Sequence, residues 1–173
     1  MDTPEKRAAA IKLLALDVDG VLTDGRIYYG NSGEELKAFN IKDGLGIKLL
    51  QDAGVRVAII TGRSSEIVNR RAKELGIEFI VQGREDKKTA LLELCQELSL
   101  EPSDCAYMGD DLPDLGAICI AGLGMTVADG SSAVRAAAHW HSQLGGGCGA
   151  VREACEFILR ARGELEAHQA VFN

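Results

Sequence analysis

Apolar runs alternate with helical periodicity along the whole chain. Leu13–Val18 and Val55–Thr61 read as buried strands; Ile77–Val81, Cys105–Gly109 and Gly124–Ala128 follow the same pattern. Between them the period lengthens. Asp43 is placed to cap a helix running to about Ala53, with Gly54 at its end. Ser64 is placed to cap the next, where Val68, Ala72 and Leu75 fall at i, i+4 and i+7 before Gly76. Asp86 precedes a third, with Leu91, Leu94, Cys95 and Leu98 on one face, and Val151, Ala154, Cys155, Ile158 and Leu159 mark a last one. Strands that are apolar throughout, alternating with helices, predict an α/β fold: a Rossmann-like parallel sheet with helices on both faces. One stretch breaks the rhythm. Residues 26–29 and 35–39 flank Gly30-Asn31-Ser32-Gly33, which predicts a β-hairpin inserted at about 26–39. The chain shows no repeats and reads as one domain, 1–173; Gly145–Gly149 is the only flexible-looking tract, and residues 164–173 read as a flexible tail.

Composition narrows the classes. At 173 residues, 46% hydrophobic and 26% charged, the chain has enough apolar surface for one core and is not intrinsically disordered. No apolar run approaches the ~20 residues of a membrane span, and Met1–Ala10 mixes acids and bases, so no secretory signal is expected there. The net charge of −7 disfavours nucleic acid and anionic membranes as partners, but allows a small anionic substrate if some local device supplies positive charge. Five cysteines, with no CxxC, predict reduced thiols, mostly in the core of a cytoplasmic protein.

In open parallel sheets ligands bind beyond the carboxyl ends of the strands. Four such ends carry chemistry here: Asp17-Val18-Asp19-Gly20, Thr61-Gly62-Arg63, Lys87 just after the third strand, and Gly109-Asp110-Asp111. Two carboxylates at the end of an apolar strand are costly unless a cation joins them, and a hard divalent ion such as Mg²⁺ takes oxygen ligands. An EF-hand fits poorly, because Val21 occupies its third acidic position and Tyr28 the place of its bidentate glutamate. A hydroxyl, a glycine N–H and a helix start make Thr61-Gly62-Arg63 an anion cradle or, taken alone, an ordinary turn. Lys87 sits in a first helical turn, where the dipole disfavours a cation; a bound anion would relieve that conflict. Gly122-Leu123-Gly124 lacks the third glycine of a dinucleotide site, Gly145–Gly149 lacks a P-loop's lysine, and His139 and His141 read as structural histidines on one face of a strand.

The ordered set DVDGV, TGR, a lone lysine and GDDLPD resembles the haloacid dehalogenase superfamily. Residues 17–54, with "DGRIYYGNSGEELKAFNIKDGLGIK", and the ending "GGGCGAVREACEFILRARGEL" resemble the 3-deoxy-D-manno-octulosonate 8-phosphate phosphatase family over about residues 12–165. That resemblance implies a capless, tetrameric Mg²⁺-dependent phosphatase of lipopolysaccharide synthesis. It implies Asp17 as nucleophile, forming an aspartyl-phosphate, and Asp19 as general acid and base. Mg²⁺ would lie between the Asp17 carboxylate, the Asp19 carbonyl and Asp110, with Asp111 and Asp114 in support. Thr61, Gly62 and Lys87 would hold the phosphate. Asn40, Lys42, Asp43, Gly44, Lys48, Arg63 and Arg71 would meet the sugar acid. Cys148 departs from the family pattern, which often has arginine there, and Gly116 replaces a frequent proline. Two rival functions are a phosphatase for a nine-carbon acidic sugar phosphate and a non-catalytic phospho-accepting or scaffold module. Because the hairpin is the only extra segment where relatives insert a cap, it is expected to join neighbours in a homotetramer.

Overall fold

A computed structural model describes residues 2–172. In chain order the elements are α1 (Pro4–Ala9), β1 (Leu13–Leu16), an irregular turn (Val18–Leu22), β2 (Tyr28–Tyr29), β3 (Glu35–Leu36), α2 (Ile41–Asp52), β4 (Arg56–Ile60), α3 (Glu66–Leu75) and β5 (Phe79–Val81). They continue with α4 (Lys87–Leu98), β6 (Cys105–Gly109), α5 (Leu115–Ile120), β7 (Leu123–Thr126), α6 (Ser132–Ala137), β8 (Trp140–His141), α7 (Ala150–Ala161) and α8 (Leu165–Ala170). Six strands form one sheet in the order β5-β4-β1-β6-β7-β8, every pair parallel, and β2 and β3 form the separate antiparallel hairpin.

The strands are apolar throughout because both faces are covered. Leu14 and Leu16 of β1 join a core built with α1, α2, α3, α7 and α8, while Leu13 and Ala15 point the other way, toward α4, α5 and α6. This period of two places adjacent residues in opposite layers. Burying each such leucine stabilises the fold by roughly 1.5–3 kcal/mol. The sheet starts at its centre: from β1 the chain first builds β4 and β5 on one side, then β6, β7 and β8 on the other. The strand order therefore reverses between β1 and β6, where parallel sheets open a crevice at their carboxyl ends.

Three expectations need correction. The helix expected to start at Asp43 starts at Ile41, and its cap is Asn40, whose side chain accepts the Lys42 N–H at 2.8 Å. Asp43 instead lies inside the fold, 1% exposed, and its Oδ1 accepts the Arg152 N–H at 2.8 Å, capping α7 from a distant segment. Ser65, not Ser64, occupies the cap of α3. The segment expected to be a tail opens with α8, anchored by buried Leu165. His139 ends just before β8, where its Nδ1 accepts the Gly124 N–H at 2.9 Å, so it serves the sheet edge. Burial, with Arg7 nearby, pushes its pKa down and keeps it a neutral acceptor.

Asp43→Ala is expected to destabilise the protein by about 1–2 kcal/mol, the usual range for a lost helix cap. Asp43→Asn, which can still accept the Arg152 N–H, should lose less; denaturant midpoints of the two variants test this.

Candidate active site

Because β4, β1 and β6 are neighbours, the residues that follow them stand side by side: Thr61, Asp17 and Asp110. Asp17 is fixed by its own N–H, which donates to the Met108 carbonyl of β6 at 3.0 Å. The chain then leaves the sheet through the turn Val18–Leu22, in which Gly20 adopts φ +93°. Thr23 holds this turn with a buried hydroxyl that accepts from the Gly20 and Gly25 N–H groups. Gly20 is doubly required. Its φ is left-handed, and a Cβ there would overlap the Asp110 carboxylate. The two acidic strand ends are thereby in van der Waals contact.

One lysine serves two of the buried acids. Lys87, 4% exposed, places Nζ 2.8 Å from Asp17 Oδ2 and 2.6 Å from Asp114 Oδ1. Its position at the start of α4 conflicts with the helix dipole, and these two carboxylates resolve the conflict within the protein. Burial alone would lower the Lys87 pKa, but Asp17 and Asp114 outweigh it and raise it, so the ammonium persists. Asp114 has no oxygen to spare: Oδ1 also accepts the Tyr107 hydroxyl at 2.8 Å, and Oδ2 accepts the Asp110 and Asp111 N–H groups at 3.0 and 3.2 Å. Burial, then the charge of Asp114, hold the Tyr107 phenol well above its ordinary pKa, so it remains a donor. Asp114 is thus a support, while Asp111 is exposed at the cap of the turn that carries it.

Asp110 is different. No donor among the described residues bonds its carboxylate, although oxygens of Asp17, Asp110 and Asp114 lie within 4.8 Å of one another. Burial, then Asp17 and Asp114, push its pKa up to about 7. For Asp17, burial and Asp114 outweigh the pull of Lys87 and raise the pKa to about 6. Three crowded carboxylates facing one ammonium leave excess negative charge, and the donors are hard oxygens. A divalent oxygen-seeking cation fits between Asp17 and Asp110.

Beside these acids, Asp17, Asp19, Thr61, Gly62, Arg63 and Lys87 line one cavity of about 180 Å³. Thr61 is buried, and among the described residues no backbone acceptor takes the Gly62 N–H, which leaves it free for an anion. The other expected residues lie elsewhere. Gly44, Lys48 and Arg71 gather in a separate hollow of about 220 Å³ between α2 and α3. Lys42 is exposed at the start of α2. Asn40 donates to the Gly147 carbonyl, and Asp43 is enclosed as the α7 cap, so both side chains serve the fold. A larger cavity, about 330 Å³, lies between Gly54 and Phe79 at the opposite ends of β4 and β5, away from these groups.

Two neighbours of the site escape a sequence reading. Tyr107 lies inside an apolar strand, where nothing distinguishes its hydroxyl from core. Lys37 comes from the hairpin, yet its Nζ reaches Asp19 Oδ1 at 2.5 Å and Glu35 Oε1 at 3.3 Å. The alternation Glu35-Leu36-Lys37 puts both charges on one face, a signal that is visible but unspecific.

Residues 40–122 match the family model for haloacid dehalogenase-like hydrolases. The 3-deoxy-D-manno-octulosonate 8-phosphate phosphatase KdsC of Yersinia pestis is 48% identical over 161 residues, 93% of this chain and 86% of that protein. The crystal structure of 3-deoxy-D-manno-octulosonate 8-phosphate phosphatase from Moraxella catarrhalis, in complex with magnesium, phosphate and KDO, superposes with a TM-score of 0.97 at 51% identity, covering 98% of each chain. A probable phosphatase of the YrbI family from Pseudomonas syringae gives a TM-score of 0.96 at 54% identity, covering 98% of this chain and 96% of that one.

Lys87→Met removes the only cation that, among the described residues, pairs with Asp17 and Asp114. Under divalent-free conditions it should destabilise the fold by about 3–5 kcal/mol at about pH 8. The loss should shrink by about pH 5. The folded-state pKa of Asp17 lies above its unfolded value of 3.8, so the penalty is absent below the unfolded pKa and grows as pH rises through the folded one. Denaturant midpoints at the two pH values test this; a pH-independent loss would contradict the charge argument.

Proposed function

The chain belongs to the 3-deoxy-D-manno-octulosonate 8-phosphate phosphatase family of haloacid dehalogenase-like hydrolases, and we propose that the cavity at the ends of β1, β4 and β6 is where it performs that hydrolysis. The protein is a Mg²⁺-dependent phosphoric monoester hydrolase that releases phosphate from the eight-carbon sugar acid phosphate. The observation that carries the assignment of residues is the pairing of Asp17 with Lys87 on the cavity wall, beside an Asp110 carboxylate that has no donor.

Asp17 attacks phosphorus, forming an acyl-phosphate bond as the bond to the sugar oxygen breaks. Asp19, two residues on and lining the same cavity, gives its proton to the departing oxygen. The now anionic Asp19 then takes a proton from water as that water attacks phosphorus, and inorganic phosphate leaves with Asp17 restored. Thr61, the Gly62 N–H and Lys87 meet the equatorial phosphoryl oxygens, where charge is spread in the transition state. Bound Mg²⁺, held by Asp17, Asp110 and the Asp19 carbonyl, supplies Lewis-acid stabilisation of that charge. Arg63, at the cavity mouth, suits the sugar's carboxylate.

The hollow formed by Gly44, Lys48 and Arg71 shares no residue with this cavity; exposed apolar surface is offered by Ile41 on its wall, 82%, and by Tyr29, 71%, and Leu36, 61%, on the hairpin. A homotetramer would cover that surface and bring the hollow's two cations to a neighbour's sugar acid. Among the described residues no helix is long and apolar enough to cross a membrane. The cytoplasm, where thiols stay reduced, is the compartment that suits its free cysteines.

Turnover of octulosonate 8-phosphate, measured beside a nine-carbon acidic sugar phosphate, tests the substrate. Asp17→Asn should lose at least about 10⁴-fold while remaining folded. Chelation should stop the wild type and Mg²⁺ restore it, with Ca²⁺ a poor substitute. Near-normal phosphate release by Asp17→Asn would refute the nucleophile assignment. Light scattering should report about four times 18.4 kDa; a fully active monomer would overturn the shared-surface argument.

A further inference from the structure

The hairpin is mostly solvent-exposed, with Tyr28, Tyr29 and Leu36 open to water, yet the side chain of Lys37 is only 1% exposed. Withdrawing an ammonium from water is costly unless partners compensate. Here they are Asp19 Oδ1 at 2.5 Å and Glu35 Oε1 at 3.3 Å, and Glu35 Oε2 in turn lies 3.5 Å from Arg63. The chain Asp19–Lys37–Glu35–Arg63 links the turn after β1, the hairpin and the segment after β4. Lys37 does not line the cavity, whereas Asp19 and Arg63 do.

A carboxylate at the end of one short side chain rotates broadly about its last torsion. Asp19 sits on backbone that departs from the helical geometry around it, with φ −76° and ψ 113°, so the turn alone does not fix its oxygens. Lys37 holds Oδ1, and no group among the described residues bonds Oδ2. We propose that Lys37 is a positioning residue: it anchors one oxygen of Asp19 so that the other is presented to the leaving-group oxygen and later to water. This inference rests on the phosphatase reading above. It adds that the hairpin supplies part of the reaction's geometry from outside the cavity.

The test uses leaving groups. Octulosonate 8-phosphate releases an alkoxide that must be protonated, whereas p-nitrophenyl phosphate releases a stable phenolate. With Mg²⁺ present, Lys37→Met should lower kcat/KM for the sugar phosphate by about 10²-fold, at the lower end of general acid–base contributions. The loss on the nitrophenyl ester should be less than about a tenth of that, and the sugar phosphate KM should stay near wild type. Lys37→Arg should recover part of the loss. In an Asp19→Asn background, adding Lys37→Met should change kcat/KM less than about twofold, because the two residues act as one unit. If Lys37→Met fails to fold, Glu35→Gln, which weakens the second anchor, should show the same skew on a smaller scale. Equal losses on both esters in the folded variant, or additive losses in the double variant, would overturn the proposal. A wild type that hydrolyses neither ester would instead refute the phosphatase reading, so the two failures are distinguishable.

Discussion

The architecture is organised around excess negative charge in a place that water barely reaches. Asp17, Asp110 and Asp114 come together because β1 and β6 are paired in the middle of the sheet. Among the described residues, only Lys87 pairs with them as a cation. The surroundings differentiate the three acids. Asp114 has its lone pairs taken by a lysine, a tyrosine and two backbone amides, and so becomes a fixed post. Asp17 keeps one partner. Asp110 keeps none, and its raised pKa expresses that deficit. The same charge that would be a liability in an apolar crevice makes the crevice select a hard dication and, through it, a phosphate.

The turn after β1 is held in place from several directions. Thr23 closes it from within, and the Gly147 N–H donates to the Val21 carbonyl at 2.9 Å. Asp129 accepts the Gly146 N–H at 3.0 Å. Asp43 joins α2 to the start of α7, immediately after the glycine tract. The tract that looks flexible in sequence is therefore a backbone clamp on the turn after β1, and its glycines permit close approach. The absence of side chains there says more about distance than about motion.

Much of this was legible in the chain. Continuous apolar runs locate the strands, and the rule that ligands gather at carboxyl ends brings Asp17, Thr61, Lys87 and Asp110 to one rim from the sequence alone. The family resemblance supplied their expected roles. What escaped had physical causes. Helices α5 and α6 are six residues each, too short to show a period. Asp43 was misplaced because a carboxylate near a helix start looks like that helix's cap, and nothing local reveals that it caps another. Asn40, also a good cap residue, won because the helix begins earlier. Gly44, Lys48 and Arg71, expected at the sugar acid, lie on α2 and α3 in a hollow apart from the phosphate residues. Lys37 receives no separate reading within the hairpin, because the Glu35-Leu36-Lys37 alternation is unspecific and its contact with Asp19 exists only in the folded chain.

The meeting of Gly20 and Gly146 has a consequence for how this scaffold tolerates new lengths of chain. A Cβ on Gly146 would overlap the Gly20 carbonyl, and one on Gly20 would overlap Asp110. Because Gly145 and Gly147 flank Gly146, a shift of one residue still leaves glycine at that contact, whereas a shift of two would bring Leu144 or Cys148 there and push the DxDG loop off its mark. The hairpin tip is the opposite case: at Gly33 nothing lies within 4 Å of an added Cβ, although its φ of +89° still favours glycine. Loop-length variation is therefore freer at the hairpin than at the glycine tract, although both border the same turn after β1.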